Sequence, residues 1–96
     1  MKFLCIWECD PDNWDSIVEK YTKRMQREDK NTFPQPVTQW LVVGEFKAYE
    51  VWEAESLESL FEMYLTYTPE IKKMSFTPVI DAHKFIEIHK KVKGRS

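Results

Sequence analysis

The apolar and polar positions divide this chain into alternating strand-like and helix-like segments. Phe3 to Glu8 is short, apolar and rich in β-branched and aromatic residues, which predicts a buried strand. It ends at Asp10-Pro11-Asp12-Asn13, a turn cluster that also opens a helix. There Asp10 or Asp12 is expected to accept from the free N–H groups of the first turn, Pro11 suits an early helical position, and Asp15 adds negative charge at the dipole's positive end. Trp14, Ile17, Val18, Tyr21 and Met25 recur at helical spacing as one apolar stripe, leaving Glu19, Lys20, Lys23 and Arg24 toward water. The helix is expected to fray between Arg27 and Asn31. A loop follows at Thr32-Phe33-Pro34-Gln35-Pro36, where each proline withholds a ladder donor.

Val37 to Gly44 and Lys47 to Ala54 predict a hairpin closed around Glu45-Phe46. Pairing Gly44 with Lys47 sets Trp40 opposite Val51 and Val42 opposite Tyr49. One face then carries Thr38, Trp40, Val42, Tyr49, Val51 and Glu53, and the other Gln39, Leu41, Val43, Ala48, Glu50 and Trp52. Both are largely apolar, whereas an antiparallel sheet with one wet face alternates, so each side is expected to be covered. Ser56 predicts the cap of a second helix with the stripe Leu57, Leu60, Phe61, Tyr64 and Leu65, ending by Thr68-Pro69. A turn through Ile71 leads to a last strand, Ser75 to Ile80, which Pro78 places at a sheet edge. Asp81 caps a terminal helix over about residues 82–93, with Phe85, Ile88, His89 and Val92 on one side and Gly94 just past its end.

The order strand, helix, strand, strand, helix, strand is that of an α+β, ferredoxin-like βαββαβ fold. A four-stranded antiparallel sheet with both helices on one face is expected, with the C-terminal helix added to it. The second sheet face would be bare. Its apolar character predicts a homodimer that stacks sheet on sheet about a two-fold axis.

With 96 residues the chain has room for a single domain, residues 1–96, whose core spans 3–80. Apolar residues make up 43% of it and only two are Gly, a composition that can build a core. The longest apolar runs fall short of the roughly 18 residues of a membrane helix, and Glu8 interrupts the N-terminal run too early for a signal peptide. A cytoplasmic protein with no membrane partner is therefore expected. A formal charge of -2 offers no reason to expect nucleic acid. The distribution is uneven: residues 1–69 hold seven Lys/Arg against thirteen Asp/Glu, and residues 70–96 hold seven against three.

The chain resembles the dimeric α+β barrel superfamily, and within it an uncharacterised family of small domains. The resemblance rests on Glu8 after the first strand, Trp40 in the second, Tyr49-Glu50-Val51-Trp52-Glu53 in the third, and Pro78-Val79 in the last. It spans most of residues 3–80 and implies the fold and dimerisation. It implies no reaction, because that fold carries haem-handling enzymes, cofactor-free monooxygenases, isomerases and binding modules.

Spacing argues against several chemistries. Cys5 and Cys9 stand roughly 13 Å apart along a strand, too far for a disulfide or for two ligands on one zinc. His83 and His89 fall about 120° apart around a helix and about 9 Å along it, so they share no metal. His89 on the apolar stripe is expected to pack, and His83 to face solvent. Gly at 44 and 94 alone makes no phosphate loop. No cofactor, metal or assigned catalytic residue is therefore expected.

The place to look is the barrel interior, where Gln39, Glu50 and Trp52, with Trp7, would set polar groups among large aromatics. These four are the candidate ligand-binding residues, for a small apolar molecule. Two alternatives accompany that reading. One is a cofactor-free monooxygenase- or isomerase-like enzyme using Glu50, its pKa raised by burial, or a histidine as base. The other is a protein-interaction module that docks through the basic C-terminal helix.

Overall fold

In the computed structural model, which describes residues 1–26 and 34–95, the first apolar run forms β1 (Lys2–Cys9) with residues 3, 5, 7 and 9 buried. A 3-10 turn at Pro11–Asn13 leads into α1 (Trp14–Met25). There follow β2 (Gln35–Leu41), β3 (Lys47–Glu53), α2 (Leu57–Tyr67), β4 (Ile71–Val79) and α3 (Ala82–Gly94). The strands form one antiparallel sheet in the order β2-β3-β1-β4. This is the α+β, ferredoxin-like arrangement, and it puts Pro78 on an edge strand as its missing donor requires. The expected fraying between Arg27 and Asn31, and Thr32-Phe33 of the loop, lie outside the described residues.

The hairpin closes differently from the expected pairing. Trp40 faces Tyr49 and Leu41 faces Ala48, a shift of two residues, and β2 stops at Leu41. The Val42 N–H donates to Lys47 O at 3.0 Å and the Glu45 N–H to Val42 O at 3.2 Å, which makes a longer turn. Gly44 enters it with φ of 86°, a conformation open to glycine. Phe46 is held outside the ladder: its carbonyl accepts from the Cys9 N–H at 3.0 Å and its ring meets Trp14 edge-on at 5.8 Å. Because side chains alternate with period two, the shift leaves Thr38 to Leu41 on their expected faces, whereas Val42 and Val43, expected within the strand, fall in the turn.

Several expected surfaces also change. Asp10 makes no side-chain cap; instead its carbonyl accepts from the Asn13 N–H at 3.0 Å. Ser56 Oγ does cap α2, accepting from the Ser59 N–H at 3.2 Å. However, α2 buries Leu60, Met63 and Tyr67, and leaves Leu57, Phe61, Tyr64 and Leu65 exposed. Outside the arc of Glu58, Glu62 and Thr66 this helix is apolar over more than half its circumference, wider than the face the sheet takes, so periodicity did not single that face out. Arg24, expected in water, is buried on α1, where its guanidinium lies 5.0 Å from the Trp52 ring centre and Nη2 donates to Pro34 O at 2.6 Å. The last strand begins at Ile71 and not at Ser75, since Ile71 and Met74 turn inward while Lys72 and Lys73 stay exposed.

The core joins Phe3, Cys5 and Trp7 of β1 and Ala48 and Trp52 of β3 to Ile17 of α1 and Leu60, Met63 and Tyr67 of α2. Lys20 ties the two helical segments together, donating to Thr66 O at 3.0 Å and pairing with Glu70 at 2.8 Å. Met63 is 1% exposed, so Met63→Ala is expected to destabilise the fold by about 2 to 5 kcal/mol through the cavity it leaves. Urea denaturation measures that loss.

Candidate functional site

Odd positions of β1 and even positions of β3 share the helix-covered face, which brings Trp7, Glu50 and Trp52 together. Glu50 lies on β3 directly between Cys5 of β1 and Gln39 of β2. It is 8% exposed. Its Oε1 accepts from Trp7 Nε1 at 2.8 Å and from Trp52 Nε1 at 3.2 Å, while Oε2 accepts from Gln39 Nε2 at 2.8 Å. Gln39 Oε1 in turn accepts from the Tyr21 hydroxyl at 2.9 Å, which carries the network from the sheet to α1. The four residues singled out in the sequence are thus brought into one cluster.

Their location requires a correction. Trp7, Gln39, Glu50 and Trp52 do not line a space between two stacked sheets; they face α1 and α2 of their own chain. The reason is parity: Glu50 and Trp52 alternate in step with Ala48, the position β3 buries deepest under the helices. Both sheet faces read as apolar in the sequence, so only the helices' packing distinguishes them.

Between the helices and this face lies a cavity of about 320 Å³. The sheet supplies Trp7, Gln39, Leu41, Glu50, Trp52, Ile71 and Met74. From α1 come Trp14, Ile17, Val18 and Tyr21, and from α2 Met63 and Tyr67. Trp7 and Trp14 stack at 6.2 Å between ring centres with 27° between planes. Trp14 and Tyr21 belong to the apolar stripe expected on α1, and here they serve as walls of the cavity. Arg24 is buried beside them, and its spacing from Ile17 and Tyr21, i+7 and i+3, continues their helical face.

Burial keeps the proton on both cysteine thiols and on the Tyr67 hydroxyl. Burial, followed by the charge of Glu50, pushes the Cys5 thiol from 9.0 up to about 12. Burial and then Asp10 raise Cys9, so neither free thiol is poised as a nucleophile. Burial also raises Tyr67, an effect that nearby Arg24 partly offsets. The Tyr67 hydroxyl has no well-formed hydrogen bond among the described residues. His83 and His89 sit on α3, both exposed, and neither lines the cavity. His89 stacks on Phe85 at 6.4 Å and is not packed into a core as expected. Among the described residues no group of three or more His, Cys, Asp or Glu could hold a metal ion.

Over residues 1–93 the chain matches the family described as Domain of unknown function (DUF3303), and it belongs to that family. No curated protein matches it.

Cys5 keeps its proton to about pH 12 when folded but loses it near pH 9.0 when unfolded. Between those values the unfolded chain binds fewer protons, so stability falls as pH rises, by up to about 1.4 kcal/mol per unit. Urea midpoints at pH 8 and pH 10.5 check this, and Cys5→Ala is expected to make the decline shallower.

Proposed function

We propose that this member of the DUF3303 family binds a small, largely apolar molecule in the cavity between its helices and its sheet. The observation that carries the reading is a half-open pocket of about 320 Å³ whose walls are aromatic and aliphatic and whose polar groups converge on Glu50. Ligand sites have this composition and begin at about this size. Binding is favoured over catalysis because Glu50 is engaged by fixed donors, while Cys5 and Tyr67 are kept protonated.

A second reading, that the chain works as a homodimer, is supported by its outer surfaces. The face opposite the helices carries Leu4, Ile6, Tyr49 and Val51, with Trp40 70% exposed. Every described residue of α3 is exposed, including Phe85, Ile88 and Val92. A compact monomer of 11.6 kDa exposes about 5,800 Å², whereas this chain exposes 7222 Å². Its radius of gyration is 16.1 Å, against about 12.5 Å for a compact domain of this length. The excess area is on the scale of a stable interface, about 800 Å² per partner. Charge favours a second copy as the occupant: α3 carries Lys84, Lys90, Lys91 and Lys93 with Arg95 at its C-cap, and residues 1–69 are acidic.

Binding is tested with the neutral fluorophore N-phenyl-1-naphthylamine. One molecule per chain is expected to bind with enhanced emission, and Val18→Trp, at the exposed edge of α1, is expected to weaken it at least tenfold. Equal binding by both proteins would place the probe elsewhere. For assembly, light scattering is expected to return twice 11.6 kDa, falling to that of one chain in a Trp40→Lys, Phe85→Asp double variant. A wild-type chain that stays monomeric at micromolar concentration sinks the dimer.

A further inference from the structure

We infer that the ligand of this cavity is an organic cation, a protonated amine on an aromatic or alkyl body. The inference rests on reading the cavity as a binding site, and it follows from what surrounds Glu50. The carboxylate forms no ion pair among the described residues. Its partners, two indoles and a carboxamide, are neutral. They satisfy oxygen atoms without cancelling the charge, and at a carboxylate only 8% exposed a further counter-charge is worth most.

The count of hydrogen bonds points the same way. A carboxylate offers about four acceptor positions. Two donors occupy Oε1 and one occupies Oε2, which leaves a single position on Oε2. A ligand N–H fits it. A ligand carboxylate or phosphate would instead meet Glu50 as a like charge, and among the described residues no cationic side chain lines the cavity to offset that. The walls add a second attraction, because Trp7, Trp14 and Tyr21 line them, and a cation within about 6 Å of the face of such a ring gains further stabilisation. Arg24 already lies over the Trp52 ring, 5.0 Å from its centre. The ammonium therefore belongs at the Trp7, Trp14 and Tyr21 end, with the apolar body toward Ile17 and Met63.

The test uses three probes of one shape and different charge on the full-length protein: 2-phenylethylamine, 2-phenylethanol and 3-phenylpropionate. Binding is followed through the indole N–H resonances of Trp7 and Trp52 in heteronuclear NMR spectra. The amine is expected to shift both resonances and to bind at least tenfold tighter than the alcohol, with the carboxylate weakest. Glu50→Gln is expected to remove the amine's advantage while leaving the alcohol's affinity within about threefold. If that variant fails to fold, the wild-type series decides alone. An alcohol or carboxylate that binds as tightly as the amine overturns the inference, as does an amine preference that survives in folded Glu50→Gln. The same holds if none of the three binds while N-phenyl-1-naphthylamine still does, and in each of these cases the binding site itself stands. Silence from all four compounds removes both.

Discussion

A carboxylate set in the middle of an apolar sheet face is the constraint around which the covered half of the molecule is arranged. Burying an ionised group is unfavourable by several kcal/mol unless hydrogen bonds replace its water. Glu50 obtains them from β1, β2 and β3 at once, through Trp7, Gln39 and Trp52. A slip of one residue in either ladder would turn Glu50 to the opposite face and strand these donors. The Tyr21 hydroxyl extends the same network to α1, so helix position and strand register are tied to a single charge.

That network also accounts for the space beside it. An indole whose N–H is committed to a carboxylate cannot swing over to fill a neighbouring void, so Trp7 and Trp52 stand as walls. On the far side α1 is held by Lys20, which bonds to Thr66 O and pairs with Glu70. Lys20 keeps Glu70 below the usual carboxylate range, so the pair stays charged under ordinary conditions. With the sheet wall fixed and the helix anchored, the cavity of about 320 Å³ remains open.

The two faces of the sheet therefore do different work. One is covered by the chain's own α1 and α2 and carries the polar network. The other leaves Trp40 and Tyr49 exposed beside Lys47, whose ammonium lies 5.3 Å from the Tyr49 ring centre. Every described residue of α3 is exposed as well, and the molecule measures 55 × 33 × 18 Å. Among the described residues, no helix is long and apolar enough to cross a membrane.

Much of this was written in local pattern. Element order, the caps at Ser56 and Asp81, the edge position of Pro78 and the face shared by Gln39, Glu50 and Trp52 follow from periodicity and turn chemistry, which act over a few residues. The exact pairing of β2 with β3 was not legible, because it depends on Phe46 being drawn to Cys9 and Trp14, contacts far away along the chain. Nor was the buried side of α2, a helix whose apolar arc is wider than the face it buries, or the burial of Arg24, whose charge masks its place on the packed face. The sequence by itself determined that two apolar faces exist and that Glu50 belongs to one of them. Which face the helices cover was decided only by tertiary packing, since parity tells residues apart but not which side a neighbouring layer will take.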